Sequence, residues 1–353
     1  AADSSLSIAV GAAVAINQIS EGSTTAATIE DSVIDASGSV SVTADNGAGI
    51  HAFALAGAAA IGKSGQGGVA FAGAGAVTVN NIETTTEAYI TGANTPIADN
   101  DDVTLRASGG DLKIAAVDRS TITADAVGIS LAAQKAGSGT GVGAALGVAL
   151  AFNNVTQTTS AYLSEATKAS VQGDIRITAE TTGASEDDNA EPWTFTKSSI
   201  TDNAMTITDH DLETGDRVFF EQGDGNGNIG GLKDGDVYYV IFVDKDQIRL
   251  ATTKAAATNE EPEPIELDAT SASGTYTLKT RKATIDALAV AGSAGGAYGS
   301  GTAGGLAGAG AGAENTVINT VKAYISVSAS VTSQTGSLVV DARDSSFVNA
   351  DVV

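Results

Sequence analysis

The chain has 353 residues, no cysteine and a net charge of -24. Zero cysteine excludes a disulfide framework and thiolate metal sites, and the acidic balance excludes the basic surface that a nucleic-acid partner needs. Repulsion from anionic membranes follows on the same ground.

In chain order, the opening "AADSSLSIAV" has no charged n-region followed by an apolar h-region, and reads as the interior of something larger. The stretch "VAINQISEGSTTAATI" from Val14 to Ile29 is then the first of four related segments. "VTVNNIETTTEAYI" (Val77 to Ile90), "LAFNNVTQTTSAYL" (Leu150 to Leu163) and "GAENTVINTVKAYI" (Gly312 to Ile325) are the others, and the first copy carries two extra residues before its final Ile. Aligned on Asn17, Asn80, Asn153 and Asn315, the copies step by 63, 73 and 162 residues.

A second marker runs in step: "SVSVTA" at Ser39, "DVTLRA" at Asp102, "DIRITA" at Asp174 and "SLVVDA" at Ser337, whose first apolar residues are Val40, Val103, Ile175 and Leu338. A third begins at Ile50, Ile122 and Ile285. All three alternate with period two and are rich in Val, Ile and Thr, while helix caps and 3.6-residue stripes are absent. The pattern predicts four copies of one strand-built unit, the last incomplete.

The strand before each asparagine keeps one face small. Ala70, Ala72, Ala74 and Ala76 stand opposite Val69, Phe71, Val77 and Val79 in the second copy, and Ala145, Gly147, Ala149 and Ala151 opposite Leu146, Val148, Leu150 and Phe152 in the third. A small face lets a second sheet approach more closely than the usual spacing of about 10 Å. Units that bury their apolar faces against one another predict an all-β fold, a parallel β-solenoid of about four repeats. The fourth copy departs on its large face, which becomes Leu306, Gly308, Gly310, Gly312 and Glu314.

The step of 162 exceeds that of 73 by 89 residues, and composition locates the surplus. Residues 190–279 hold the only Trp, the only Met, three of the four prolines and half of the aromatics. A small inserted β domain of about six strands therefore divides the solenoid into residues 1–189 and 280–353. "ETGD" and "LKDGD" are its turns.

Candidate functional residues are few. Trp193, Phe195, Tyr238 and Tyr239 of the insert could form a carbohydrate platform. Asp224, Asn226 and Asn228 in "GDGNGNIGG" alternate as calcium ligands often do, although no glutamate stands at the twelfth place; a hairpin tip is the competing reading. The four asparagines read as a structural ladder that satisfies turn backbone, and Tyr89, Tyr162 and Tyr324 as a stacked aromatic row, with ligand binding the alternative for each.

Neither His51 nor His210 sits in a catalytic motif, and acidic pairs such as Asp101 with Asp102 or Asp187 with Asp188 are too common among 42 acidic residues to mark a glycosidase. No cofactor is implied apart from that calcium loop. Ala287 to Ala313 lacks charge over 27 residues but is mostly Gly and Ala, which is thin for a membrane-spanning helix.

The fullest unit, "GVGAALGVALAFNNVTQTTSAYL", resembles the repeats of very large bacterial surface and secreted proteins, the filamentous-haemagglutinin-like adhesins and the repetitive exoproteins related to fusobacterial leukotoxin. The insert, through "TITDHDLETGDRVFFEQ", "IGGLKDGDVYYVIFVDKDQIRLA" and "GTYTL", is similar to a module scattered through the same proteins. The resemblance implies an extracellular or cell-surface segment of a larger parent chain, and the lack of a catalytic motif argues against an enzyme. In it the solenoid is a rigid spacer and the protruding insert touches a surface, a glycan or a sister fibre. A lectin-like module and a β-helical polysaccharide-degrading enzyme are the alternatives.

Overall fold

A computed structural model describes residues 4–92, 104–165, 167–183, 192–223, 226–280, 283–326 and 329–353. The chain divides into two compact units, Ala1–Thr182 with Ala283–Val353, and Gly183–Lys282.

The first unit is a parallel β-solenoid whose rungs each contribute four strands. The first rung is β1 (Ser4–Glu30), β2 (Ile34–Ala36), β3 (Val40–Asn46) and β4 (Gly49–Ser64). The second is β5 (Gly67–Thr91), β6 (Leu105–Ala107), β7 (Leu112–Asp118) and β8 (Thr121–Ala136). The third begins with β9 (Gly141–Leu163), β10 (Lys168–Val171) and β11 (Ile175–Thr181), then is interrupted by the second unit.

That unit holds β12 (Trp193–Thr196), β13 (Ile200–Thr201), β14 (Ala204–Thr206), β15 (Arg217–Glu221), β16 (Val237–Asp244), β17 (Gln247–Ala251), the helix α1 (Lys254–Thr258) and β18 (Thr275–Lys279). The third rung closes with β19 (Ile285–Gly299). The fourth is β20 (Ala303–Ile325), β21 (Ser330–Ser333), β22 (Leu338–Asp344) and β23 (Val348–Val352).

Equivalent strands stack into four parallel sheets. The long sheet runs β1, β5, β9, β20; the corner sheet β2, β6, β10, β21; the base sheet β3, β7, β11, β22; and the return sheet β4, β8, β19, β23. Register follows the sequence repeats: Asn17, Asn80, Asn153 and Asn315 are opposite one another, as are Ile50, Ile122 and Ile285. The two extra residues of the first copy are a bulge, because Ile19 pairs with Ile82 and Ser23 with Thr84. Gly22 takes a φ of 93° inside it, a conformation glycine adopts without steric cost.

The structure corrects one marker, the base strand of the second rung. Val40 and Ile175 both pair with Leu112, so the second copy of the base strand is "LKIAAVD". "DVTLRA" instead supplies Leu105 to the corner sheet, and Val103 lies outside the described residues. The second rung has more chain between its asparagine and its base strand than the others do, and alternation alone does not choose between two short strands in succession.

The interior changes character along the long strands. Where the long, corner and base sheets close a head, the core is aliphatic, with Ile90, Leu112, Ile114, Leu163 and Ile175 fully buried. Each such side chain contributes about 2 kcal/mol by leaving water. Ile82, Ile122, Val155 and Ile285 follow between the long and return sheets. Beyond them these two sheets form a thin slab whose interior is alanine and glycine: Ala54, Ala76, Ala126, Ala149 and Ala289, then Ala60, Ala72, Ala132 and Ala145.

The small face is therefore the buried one. The large face of each long strand points outward instead of packing within the stack. Ala287 to Ala313 belongs to β19, a turn and β20, and no helix among the described residues is long and apolar enough to cross a membrane.

The large-face glycines of the fourth copy are partly covered by the preceding rung: a Cβ on Gly308 would meet Leu146 Cδ1 at 3.6 Å and one on Gly312 would meet Leu150 Cδ2 at 3.3 Å.

The second unit is one antiparallel sheet of seven strands, one more than expected, in the order β12, β18, β15, β16, β17, β14, β13. Its core is Phe195, Met205, Val218, Phe220, Tyr238, Ile248, Leu250 and Tyr276. "ETGD" and "LKDGD" are turns, with Gly215 at φ 97° and Gly235 at φ 74°. The short helix was not foreseen; Thr253 caps it by accepting from the Ala256 amide, a Thr before an alanine run being the signal.

Candidate functional site

The long sheet carries two ladders on opposite faces. Inside, Asn17 donates its amide to Asn80 at 2.8 Å, Asn80 to Asn153 at 2.8 Å, and Asn153 to Asn315 at 2.7 Å. These asparagines stand mid-strand, so the ladder satisfies side chains with side chains and not turn backbone as the sequence suggested. Outside, Tyr89 and Tyr162 stack with centroids 4.6 Å apart, and Tyr162 and Tyr324 at 4.8 Å. Thr28 holds the first-rung place in this row, and Glu30 accepts the Tyr89 hydroxyl at 2.5 Å. That hydrogen bond, more than burial or the nearby carboxylates, pushes the Tyr89 phenol up to about 12. Burial raises Tyr162.

A feature that the sequence reading missed lies where the long and base sheets meet. Asp118, at the end of β7, is fully buried and accepts six hydrogen bonds. Its Oδ2 takes Thr84 Oγ1, Thr86 Oγ1 and Asn46 Nδ2 at 2.9 to 3.0 Å. Its Oδ1 takes Gln157 Nε2 at 2.7 Å, with the amide and hydroxyl of Ser120. The equivalent residues are Asn46, Thr181 and Asp344. Asp344 accepts from Asn319 at 3.1 Å and from the Ser346 amide at 3.0 Å. The recurring "D-x-S" at Asp118 and Asp344 is the signal that could have found this belt, as the local turn in which the carboxylate takes the amide two residues on. Every oxygen site of Asp118 is filled by a donor, so the node is structural.

In the insert the aromatic platform does not assemble. Phe195 and Tyr238 are core residues at 2% and 5% exposure, and half-buried Trp193 packs against the same cluster. The Tyr238 hydroxyl is held by the Lys233 amide at 2.9 Å. Tyr239 is next to Tyr238 in a strand, hence on the other face, where it packs beside Ile241 and Ala257. Three of the four side chains were needed to close a small core.

Asp224 lies outside the described residues. Asn226 uses its amide to donate to the Gln222 and Thr275 carbonyls, both at 2.6 Å, and Asn228 Oδ1 accepts from Gln222 at 2.9 Å. The loop's described amides thus fasten a hairpin tip. No group of three or more His, Asp or Glu able to hold a metal occurs among the described residues. His51 stands on the outer face of β4, and His210 is buried against Phe242. Asp101, Asp102, Asp187 and Asp188 lie outside the described residues.

The slab presents apolar side chains on both outer faces. Leu6, Ile8, Val14 and Ile16 on the long sheet are 63 to 72% exposed, as Phe53, Leu55, Ile61 and Ile129 on the return sheet are at 52 to 73%. Contiguous exposed apolar surface of this kind marks an interaction site in a soluble protein. Comparison with family models, curated proteins and solved structures returns no match, so the residues themselves carry the functional reading.

Proposed function

We propose that this chain is a structural and adhesive segment of a very large extracellular bacterial protein, in which the solenoid is a rigid scaffold and the inserted module makes a contact with a cell surface, a glycan or a sister fibre. The observation that carries the reading is the unbroken, in-register asparagine ladder through all four rungs. Each rung closes its long strand on the return sheet and hydrogen-bonds its strands to those of the rungs beside it, the pattern of a protein built to be stacked and stiff.

One rung adds only the strand spacing, about 4.8 Å, to the length of the stack. A unit of 63 or 73 residues is therefore spent on breadth and stiffness, and the scaffold offers wide faces more than reach. A lectin-like reading of the insert has lost the aromatic platform on which it was based.

The test is saturable binding to glycans and host-cell surfaces, measured for the whole chain, for the solenoid with residues 183–282 replaced by a short linker, and for the insert alone, which has its own core. Binding that follows the insert supports the reading. Binding retained by the solenoid without it overturns the assignment of the contact to the insert.

A further inference from the structure

The outer face of the return sheet is ordered from an acidic end to a basic end. At the base of its strands stand Asp125, Asp286 and Asp351; at the tip stand Lys63 and Lys135, in register with each other. Between them the rows are uncharged and mostly apolar, with Leu55 beside Val127 and Val290, Gly57 beside Ile129, and Ala59 beside Leu131. Among the described residues no ion pair engages Lys63, Lys135 or Asp125.

We propose that two copies of this chain pair through this face, strands antiparallel, about a two-fold axis parallel to the direction in which the rungs stack. A symmetric dimer places one patch on itself, so the patch must be its own complement. Rotation about the stacking direction exchanges tip and base while keeping each rung opposite its equivalent. Lys135 of one copy then meets Asp125 of the other, and the reverse, ten residues apart on one strand or roughly 33 Å. Ile129 of each copy faces Leu131 of its partner at the centre. A two-fold along the strands would set the lysine row on itself, and like charges there would oppose it.

The chosen axis also keeps both stacks pointing the same way, so pairing continues through any longer array of such units. The outer face of the long sheet has no comparable pattern: its rows from Leu6 to Ile16 are uncharged except for Glu314.

The size of the face sets the strength. His51 to Lys63 spans roughly 40 Å and three strands roughly 14 Å, or about 560 Å² per partner, below the ~800 Å² of a standard stable interface. Four rungs should therefore pair weakly, in the micromolar range, and tighter with every rung added. A lipid bilayer is the other occupant an apolar slab could take. The carboxylates of Asp125, Asp286 and Asp351 at the strand bases disfavour it, because an ionised side chain is costly in hydrocarbon.

This goes beyond the function proposed above, in which the insert makes the contact and the solenoid is the scaffold, and the test separates the two. Sedimentation of the whole chain from micromolar to several hundred micromolar should show a monomer–dimer equilibrium. Lys135→Glu should weaken it at least tenfold, and Asp125→Lys combined with Lys135→Glu should restore it to within about threefold, because both partners then carry the exchanged pair. Val14→Lys, on the long sheet, should leave it unchanged. These side chains are on the surface, and a thermal melt confirms that each variant is folded.

A folded chain that stays monomeric throughout overturns the pairing and leaves the rigid-scaffold reading intact. A dimer indifferent to Lys135→Glu, or abolished by Val14→Lys, places the interface elsewhere and also overturns it. Flotation with phosphatidylcholine vesicles in place of dimerisation assigns the face to lipid.

Discussion

The rings of Tyr89 and Tyr162 lie 4.6 Å apart and 7° from parallel. That separation is the spacing of neighbouring strands, so an in-register parallel stack brings equal side chains into contact with no further adjustment of the backbone. The column ends at Thr28, and the first rung supplies Glu30 as acceptor for the Tyr89 hydroxyl.

An alkaline transition is expected from that contact. The Tyr89 phenol is raised from 10.0 to about 12, chiefly by its hydrogen bond to Glu30. The folded chain therefore holds the proton more tightly than the unfolded one, and the stability it gains is complete below pH 10 and is lost as the pH rises toward 12. Phenolate absorbance of wild type and Glu30→Gln should show one tyrosine titrating earlier in the variant. An unchanged curve would mean that Glu30 is not what holds the proton.

The asparagine ladder should weigh interior positions twice. Asn80 accepts from Asn17 and donates to Asn153, whereas Asn315 only accepts from Asn153. Asn80→Ala is expected to cost about 2 kcal/mol and Asn315→Ala about half of that, since each side-chain hydrogen bond is worth about 1 kcal/mol. Urea unfolding measures both; equal costs would show that the ladder does not act bond by bond.

Much of this solenoid was legible because its repeats are identical residues in contact. The asparagine and tyrosine copies, the small strand face and the division by an insert all follow from matched spacing and composition. What escaped is what does not repeat. Asp118 gathers donors from Asn46, 72 residues earlier, and from Gln157, 39 later. Its equivalents are Asn, Thr and Asp, so no column of one residue type announces it. Val103 matches Val40 in the marker pattern, but the second rung has a longer stretch of chain after Asn80, which moves the true partner of Val40 to Leu112. Phe195 and Tyr238 are offered by the sequence as part of a carbohydrate platform, while a small sheet needs them to fill its core.

The Asp118 node should be the costliest single site in the solenoid. Asp118→Ala leaves the buried donors of Thr84, Thr86 and Gln157 without their acceptor and removes one partner of half-buried Asn46, and an expected loss of about 3 to 5 kcal/mol follows. Asp118→Asn keeps the shape but turns one acceptor group into a donor facing donors, so it should rescue only part of the loss. If both variants unfold within about 1 kcal/mol of wild type in guanidinium, the node does not bear on stability.

Two glycines of the slab should respond with opposite sign to the same substitution. Gly147 lies on the inner face of β9, where a Cβ would press on the carbonyl oxygens of Gly292 and Gly128, the latter at 2.9 Å. Those atoms are backbone of two neighbouring strands in the return sheet, which cannot rotate aside as a side chain can. Gly147→Ala must force the sheets apart and open the alanine interior, an overpacking cost of about 1 to 3 kcal/mol or more. Gly57 lies on the outer face of β4 with nothing within 4 Å of an added Cβ. Gly57→Ala should stabilise by about 0.5 kcal/mol, because alanine has less freedom to lose on folding. Thermal melts of the two variants measure the difference, and equal shifts would show that the two sheets are not in backbone contact through the glycine face.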